Sequence, residues 1–326
     1  MNLLDSRLTG IVAFLALLLV FFGLLSDPFL TVGNLNTIAL NGSILAIVAC
    51  AQAIVVLTRN FDLSVGSTVA LASYVGFDIV QRFPVAGPLL VLAPVLIGGL
   101  CGVVNGLLVA YGRVPAVIAT LGTMSMFRGI ASLYADGGQI NLADLPAWVN
   151  GVVNGQVAGV AALPLIAAAV VVASAALLRW LPLGRQIYAV GSNPDAAAYF
   201  GLDARRVVFR AYVLAGLLTG LAAFLFGARS SFIVPYMAQG LELTTLAAVV
   251  IGGVSVLGGS GTVLGAAVGA IAIRTIDNGL ILVGASDFVR QFVQGAAIVV
   301  AVVVDAIAQR RLAAIAARFK RRGLQT

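Results

Sequence analysis

Apolar runs of about 20 residues recur along the chain, with short polar intervals between them. As a helix, one such run covers the ~30 Å hydrocarbon core of a bilayer, so the pattern predicts membrane-spanning helices. Ten spans fit, near residues 8–25, 35–57, 64–81, 86–110, 115–134, 159–181, 207–227, 241–258, 262–283 and 288–308. The third and eighth are short or glycine-rich, where a break is tolerated if protein covers it. The expected fold is all-α and polytopic, a single transmembrane domain over 1–326. The first run follows Arg7 and reaches Leu25, longer than a signal-peptide core. Ser26–Asp27–Pro28 offers no small-residue cleavage pattern, so this span is expected to be retained.

The longest polar interval is Pro182 to Arg210, with Arg185, Arg205, Arg206 and Arg210. A short helix is predicted inside it. Ser192 or Asn193 can cap its N-terminus, and Pro194 suits the first position, where no N–H is needed. Asp195 complements the helix dipole, and Ala196, Ala197 and Ala198 are strong helix formers. Gly201 can take the left-handed conformation that ends the helix. Two readings are open. One makes the helix an interfacial element that tidies a loop; the other makes it a docking knob whose alanines and Tyr199–Phe200 enter a groove on a partner.

Charge orients the spans. With the N-terminus inside, the inner side collects Arg7, Arg59, Arg113, Arg179, Arg185, Arg205, Arg206, Arg210, Arg310, Arg311, Arg318, Lys320, Arg321 and Arg322, fourteen in all. The outer side has Arg82, Arg229 and Arg290, three in all, and Arg128 and Arg274 lie within spans. Fourteen against three places the loop at 182–206, the basic tail at 309–326 and both termini in the cytoplasm. The same bias accounts for the net charge of +7 without nucleic acid. The outer interval 135–158 holds Asp136, Asp144, Trp148 and Gly137–Gly138. It reads as a structured loop available to an extracytoplasmic partner, with Trp148 an interfacial anchor.

Composition agrees with a membrane chain: 61% hydrophobic and 10% charged residues, against roughly 25% charged in a soluble domain. Gly261, Gly265 and Gly269 repeat every fourth residue, as do Gly216 and Gly220, a spacing suited to close helix packing within the chain or at a dimer seam. Residues 65–76 and 259–269 are weakly alike, as opposed halves of a transporter can be. Cys50 and Cys101 give neither a disulfide framework nor metal-ligand spacing. Histidine is absent, so a serine nucleophile would lack its usual base. No glycine-rich loop carries the lysine of a nucleotide site. No catalytic, metal or cofactor site is therefore expected.

Polar residues inside spans are the remaining candidates. Arg274 and Asp277 share a helix face, with Asn278 beside them, and either lock the ninth span or lie on a solute path. Arg128 and Asp78 are expected to snorkel to the membrane edge, and Asp305 to sit at the inner boundary. Asn41, Ser43, Gln52, Asn105, Thr120, Thr123 and Ser125 offer amides and hydroxyls suited to a neutral sugar-like solute. Each could instead bond a neighbouring helix.

Six stretches in order resemble one family: 29–38 (FLTVGNLNTI), 57–71 (LTRNFDLSVGSTVAL), 104–129, 184–202 (GRQIYAVGSNPDAAAYFGL), 246–266 and 276–284. The chain is similar to the membrane permeases of bacterial ATP-binding-cassette importers of the ribose, xylose, rhamnose and autoinducer-2 group. The resemblance implies ten helices in the bacterial inner membrane and pairing with a second permease chain, identical or paralogous. It also implies a cytoplasmic ATPase, commonly two fused domains carrying the Mg–ATP, and a periplasmic sugar-binding protein. Asn193, Pro194, Asp195, Ala196, Ala197, Ala198, Tyr199, Phe200 and Gly201 would form the helix that couples to the ATPase. The candidate path is Asn41, Gln52, Asn105, Thr120, Thr123, Arg274, Asp277 and Asn278. Asn60 and Phe61 depart from the family's frequent Gly and Ile, and Thr244 stands near a position often acidic. An ion-coupled secondary transporter is the alternative, with Arg274 and Asp277 as its only titratable candidates.

Overall fold

The computed structural model describes residues 3–83, 91–141, 143, 147–157, 159–300, 302–303 and 307. Asp144, Asp305, the basic tail at 309–326 and residues 86–90 of the fourth expected span lie outside them. The helices are α1 (Leu3–Leu25), α2 (Val32–Val56), α3 (Val65–Arg82), α4 (Leu92–Gly106) and α5 (Ala116–Ala135). They continue as α6 (Ala147–Asn154), α7 (Ala162–Trp180), α8 (Pro182–Ser192), α9 (Pro194–Tyr199), α10 (Ala204–Arg229), α11 (Leu241–Ile251) and α12 (Val263–Leu282). Residues 287–300 are also helical. The strands are two-residue antiparallel ladders in the loops, pairing Ile140 with Ile233 and Gln156 with Ala161.

The architecture is all-α and polytopic. Among the described residues, seven helices are long and apolar enough to cross a membrane, those beginning at Leu8, Val32, Leu92, Ala116, Ala162, Ala204 and Val263. Val65–Ile79 and Leu241–Ile251 are apolar but shorter. The span expected over 241–258 is broken, as its glycine content allowed. Its helix stops at Ile251, because Gly253, Gly258, Gly259 and Gly261 all adopt positive φ in a tight turn before α12.

The bundle is built around α2, which is buried from Gly42 through Val56 and packs against α7, α10, α11 and α12. Lipid tails are as apolar as leucine, so apolar burial inserts these helices but close contact holds them together. The tightest crossing is α4 on α10. A methyl on Gly98 would lie 2.6 Å from the Gly220 Cα, and one on Gly216 2.8 Å from the Gly102 Cα. In α12, Gly265 and Gly269 likewise lie against the backbone of Gly252 and Ala248. The glycine repeats thus serve packing within the chain. Trp148 is not a free interfacial anchor: it is half-buried and stacks on Phe224 of α10 at 6.1 Å.

Candidate coupling junction and polar clusters

The polar interval is more ordered than its sequence suggests. α8 occupies its first third, and α9 follows after the single residue Asn193. Asn193 is the cap, accepting from the Ala196 N–H at 3.0 Å. Gly201 takes φ +78°, and Asp203 caps α10 through the N–H groups of Arg205 and Arg206. Ala197 turns inward. It is 4% exposed and packs within the chain's own core, which corrects the expectation that all three alanines face outward. The outward surface is formed by Asp195, Ala198, Tyr199 and Phe200, the two aromatics being 92% and 86% exposed.

This loop is joined to the bundle through the turn after α2. Arg59 donates from Nε to the Gly191 carbonyl at 2.5 Å and from Nη2 to the Ser192 carbonyl at 2.6 Å. These carbonyls belong to the last turn of α8, where a helix presents unsatisfied acceptors and partial negative charge. Arg59 holds φ +65° to reach them, a conformation that costs a non-glycine residue about 1–3 kcal/mol. The turn between α11 and α12 closes the junction: Gly259 donates its N–H to the Leu57 carbonyl at 3.0 Å and accepts from the Ser192 hydroxyl at 3.3 Å. No side chain would fit at Gly191, whose Cα faces the Leu57 carbonyl, or at Gly259, which lies on Ser192. Tyr188 adds a hydrogen bond from α8 to the Gly261 carbonyl at 2.9 Å, and burial raises its phenol above the ordinary value, keeping it a neutral donor. Sequence reasoning counted Arg59 only as a charge, because nothing local shows that 57–59 meets 191–192 and 258–259.

The expected path residues separate into distinct places. Asn105 is the hub of a buried cluster at the start of α3. Its Nδ2 donates to the Ser64 hydroxyl at 2.8 Å and to Asp62 Oδ1 at 3.3 Å, and its Oδ1 accepts from the Thr123 hydroxyl at 2.6 Å. Asp62 is buried and also accepts from the Ser64 N–H and hydroxyl at 2.9 and 2.6 Å. Asp62 and Ser64 were missed, though an Asp-x-Ser pattern before a helix is a recognisable capping signal. The Thr120 hydroxyl donates back to the Ala116 carbonyl in its own helix, and its carbonyl accepts from the Thr123 hydroxyl at 3.3 Å. Gln52 is 1% exposed, and neither end of its amide has a hydrogen-bond partner among the described residues.

A second group lies where α2, α10 and α12 meet. Arg274 pairs with Asp277 at 3.5 Å, as the spacing predicted, and Arg290 reaches the other oxygen of Asp277 at 3.1 Å. Asn278 and Asn34 exchange two amide hydrogen bonds of 2.9 Å, tying α12 to α2. Asn41 accepts from Arg229 at 3.2 Å. Arg128 is half-buried and donates to the carbonyls of Pro235 and Met237, in the loop before α11, at 3.2 and 2.6 Å. Asp78 is held by Arg82 at 2.8 Å and by the Tyr134 hydroxyl at 2.6 Å.

The chain has relatives among known proteins. It is 38% identical over 296 residues to the ribose import permease protein RbsC of Escherichia coli K12, covering 89% of this chain and 91% of that protein. It is 34% identical over 288 residues to the autoinducer 2 import system permease protein LsrC of Salmonella typhi, covering 88% and 82%. The LsrC of Enterobacter sp. strain 638 is 36% identical over 296 residues, covering 90% and 85%. No solved structure matches the chain significantly. These relatives bear out the resemblance to import permeases of the ribose and autoinducer-2 group, and with it a transport subunit in place of an enzyme. The family described as "Branched-chain amino acid transport system / permease component" matches residues 34–302, and the chain belongs to that family of multi-pass membrane permeases.

Proposed function

We propose that this permease is the membrane subunit of an ATP-binding-cassette importer that carries a monosaccharide or similar small polyol into the cytoplasm. ATP is hydrolysed on a separate subunit. The observation that carries the reading is the exposed Tyr199–Phe200 pair on a capped helix, fixed to α2 and to the α11–α12 turn through Arg59 and Gly259. An element of this kind can pass a partner's movement into the bundle, since packed interfaces shift between discrete arrangements. Residues Asn193 to Gly201 are the coupling segment in this reading. ATP closing the partner's two sites would bias the bundle between outward- and inward-open states, which must be close in energy.

The polyol class rests on the relatives' names, ribose and autoinducer 2, over the amino acids in the family description. Of the expected path residues, Asn105 and Thr123 keep a side-chain bond between helices that rearrangement could exchange for solute hydroxyls. The topology proposed has ten crossings, both termini in the cytoplasmic compartment, and a bacterial inner-membrane location. A second permease chain, a fused-domain ATPase and a periplasmic binding protein complete the assembly. The ion-coupled alternative is disfavoured by Asp277, whose two oxygens are each taken by an arginine.

The test is co-expression with the ATPase and binding protein of the same gene cluster. ATP-dependent uptake should follow a sugar bound by that binding protein, with ATPase co-purifying. Uptake driven by an ion gradient without ATPase, or selection of leucine over every sugar, would reject the reading. Position 203, as Asp203→Cys in a chain lacking Cys50 and Cys101, should resist an impermeant thiol reagent in spheroplasts.

A further inference from the structure

We propose that a cavity of 290 Å³ between α2, α10, α11 and α12 is a binding site for one oxyanion, a carboxylate or a phosphate. Its wall includes Asn41, Phe226, Arg229, Ser230, Leu241 and Arg274. Arginines from two different helices therefore line one space. Guanidinium forks match the geometry of carboxylate and phosphate oxygens.

Both arginines have donors to spare. Arg229 ends α10, where a snorkelling cation would turn outward; its Nη2 instead reaches across to Asn41 Oδ1 at 3.2 Å. That uses one of five N–H donors. Arg274 spends Nη1 on Asp277, while its Nε–H is buried and has no acceptor among the described residues. Buried polar hydrogens are nearly always paired, so one without an acceptor beside a cavity points to a ligand.

The charge balance points the same way. Among the described residues Arg229 has no ion-pair partner, while Arg274 shares Asp277 with Arg290, which also engages Asp287. Three positive charges against two negative leave one, which a single anion neutralises. Glu242 does not fill this role, because its carboxylate lies against Gly66 of α3. The volume is just under the roughly 300–1,000 Å³ of drug-sized pockets, suiting a small ion or one headgroup. Ile44, Leu45, Phe226 and Leu241 supply an apolar wall for an attached alkyl or acyl segment. A phosphate could come from an anionic lipid headgroup or, like a carboxylate, from a free solute.

The experiment uses the full-length chain in a non-ionic maltoside. Unfolding is followed by a thiol-reactive dye, because Cys50 and Cys101 are free and buried. One arm titrates inorganic phosphate or acetate against chloride at constant ionic strength. The other adds phosphatidylglycerol or phosphatidylcholine to the micelles. Wild type should be protected by phosphate or acetate if the source is a free ion, and by phosphatidylglycerol alone if it is a headgroup. In Arg229→Gln, half-protection should need about tenfold more anion, the loss of one charge-assisted bond. Arg274→Gln should respond likewise; should it fail to fold, Arg229→Gln decides, since it disturbs only the contact to Asn41. Equal protection of wild type and Arg229→Gln by every anion would overturn the site, as would no protection of wild type beyond chloride.

Discussion

Arg59 and Ser192 are 133 positions apart in sequence, and a guanidinium-to-carbonyl bond of 2.6 Å joins them. The bond ties the end of α2 to the helix that leads into α9. Hydrogen bonds to a charged group contribute about 1.5–3 kcal/mol each, so the two Arg59 bonds outweigh the backbone strain they require. Arg59→Ala is expected to keep the protein in the membrane and lower uptake several-fold. Arg59→Gly removes the positive-φ strain along with the bonds, so it should be as stable as Arg59→Ala or more so, yet equally poor in uptake. Membrane abundance and ATP-driven uptake, measured side by side, check this. Normal uptake in both would mean that the junction transmits nothing.

Tyr199 and Phe200 are the surface offered to a cytoplasmic partner. Buried aromatic anchors at interfaces commonly cost about 2 kcal/mol or more when truncated. The double change Tyr199→Ala with Phe200→Ala should therefore leave the protein abundant but abolish ATPase pull-down. Ala197→Arg is expected to behave differently. It forces a charge into the chain's own core, so loss of the protein itself should be seen. ATPase retention by the double aromatic variant would move the docking surface elsewhere.

Asn105 satisfies Asp62, Ser64 and Thr123 at once. Asn105→Leu leaves a buried carboxylate short of donors, expected to cost about 1–3 kcal/mol. Thr123→Val removes one bond to the far side of the amide and should cost about 1 kcal/mol. Thermal unfolding in detergent should rank the two in that order. The reverse ranking would show that the cluster is not held through Asn105.

The α4–α10 crossing admits no added atoms. Gly216→Val should cost at least the ~1–3 kcal/mol typical of overpacking, because backbone and not a movable side chain opposes it. Gly122→Val on α5, where an added Cβ meets nothing within 4 Å, is the control and should fold normally. Monodisperse yield after size exclusion is the readout.

Asp277 is shared by two arginines. Arg274→Ala therefore still leaves it one cation. The coupling energy between Arg274 and Asp277 is expected near 1 kcal/mol, below the ~3–5 kcal/mol cost of breaking an isolated buried pair. Adding Arg290→Ala to Arg274→Ala should restore the larger penalty. A double-mutant cycle on unfolding in detergent gives these values.

The spanning helices were legible because a bilayer imposes one length and one polarity on every crossing, and α1, α2, α5, α7, α10 and α12 all follow that rule. The Pro194 helix was equally legible, since Asn193, Pro194 and Gly201 act on their own backbone within one or two turns. The pair at Arg274 and Asp277 followed from helical spacing alone. Only the tertiary structure decided what depends on which helices meet. It turned Ala197 inward, bound Arg128 to the loop before α11 and gave Asp277 a second arginine. It also brought Arg59, Gly191 and Gly259 to one point and made Asp62 part of the cluster around Asn105. Those contacts join residues dozens to hundreds of positions apart. Their geometry is set by how closely glycine faces let the helices approach, which no local pattern specifies.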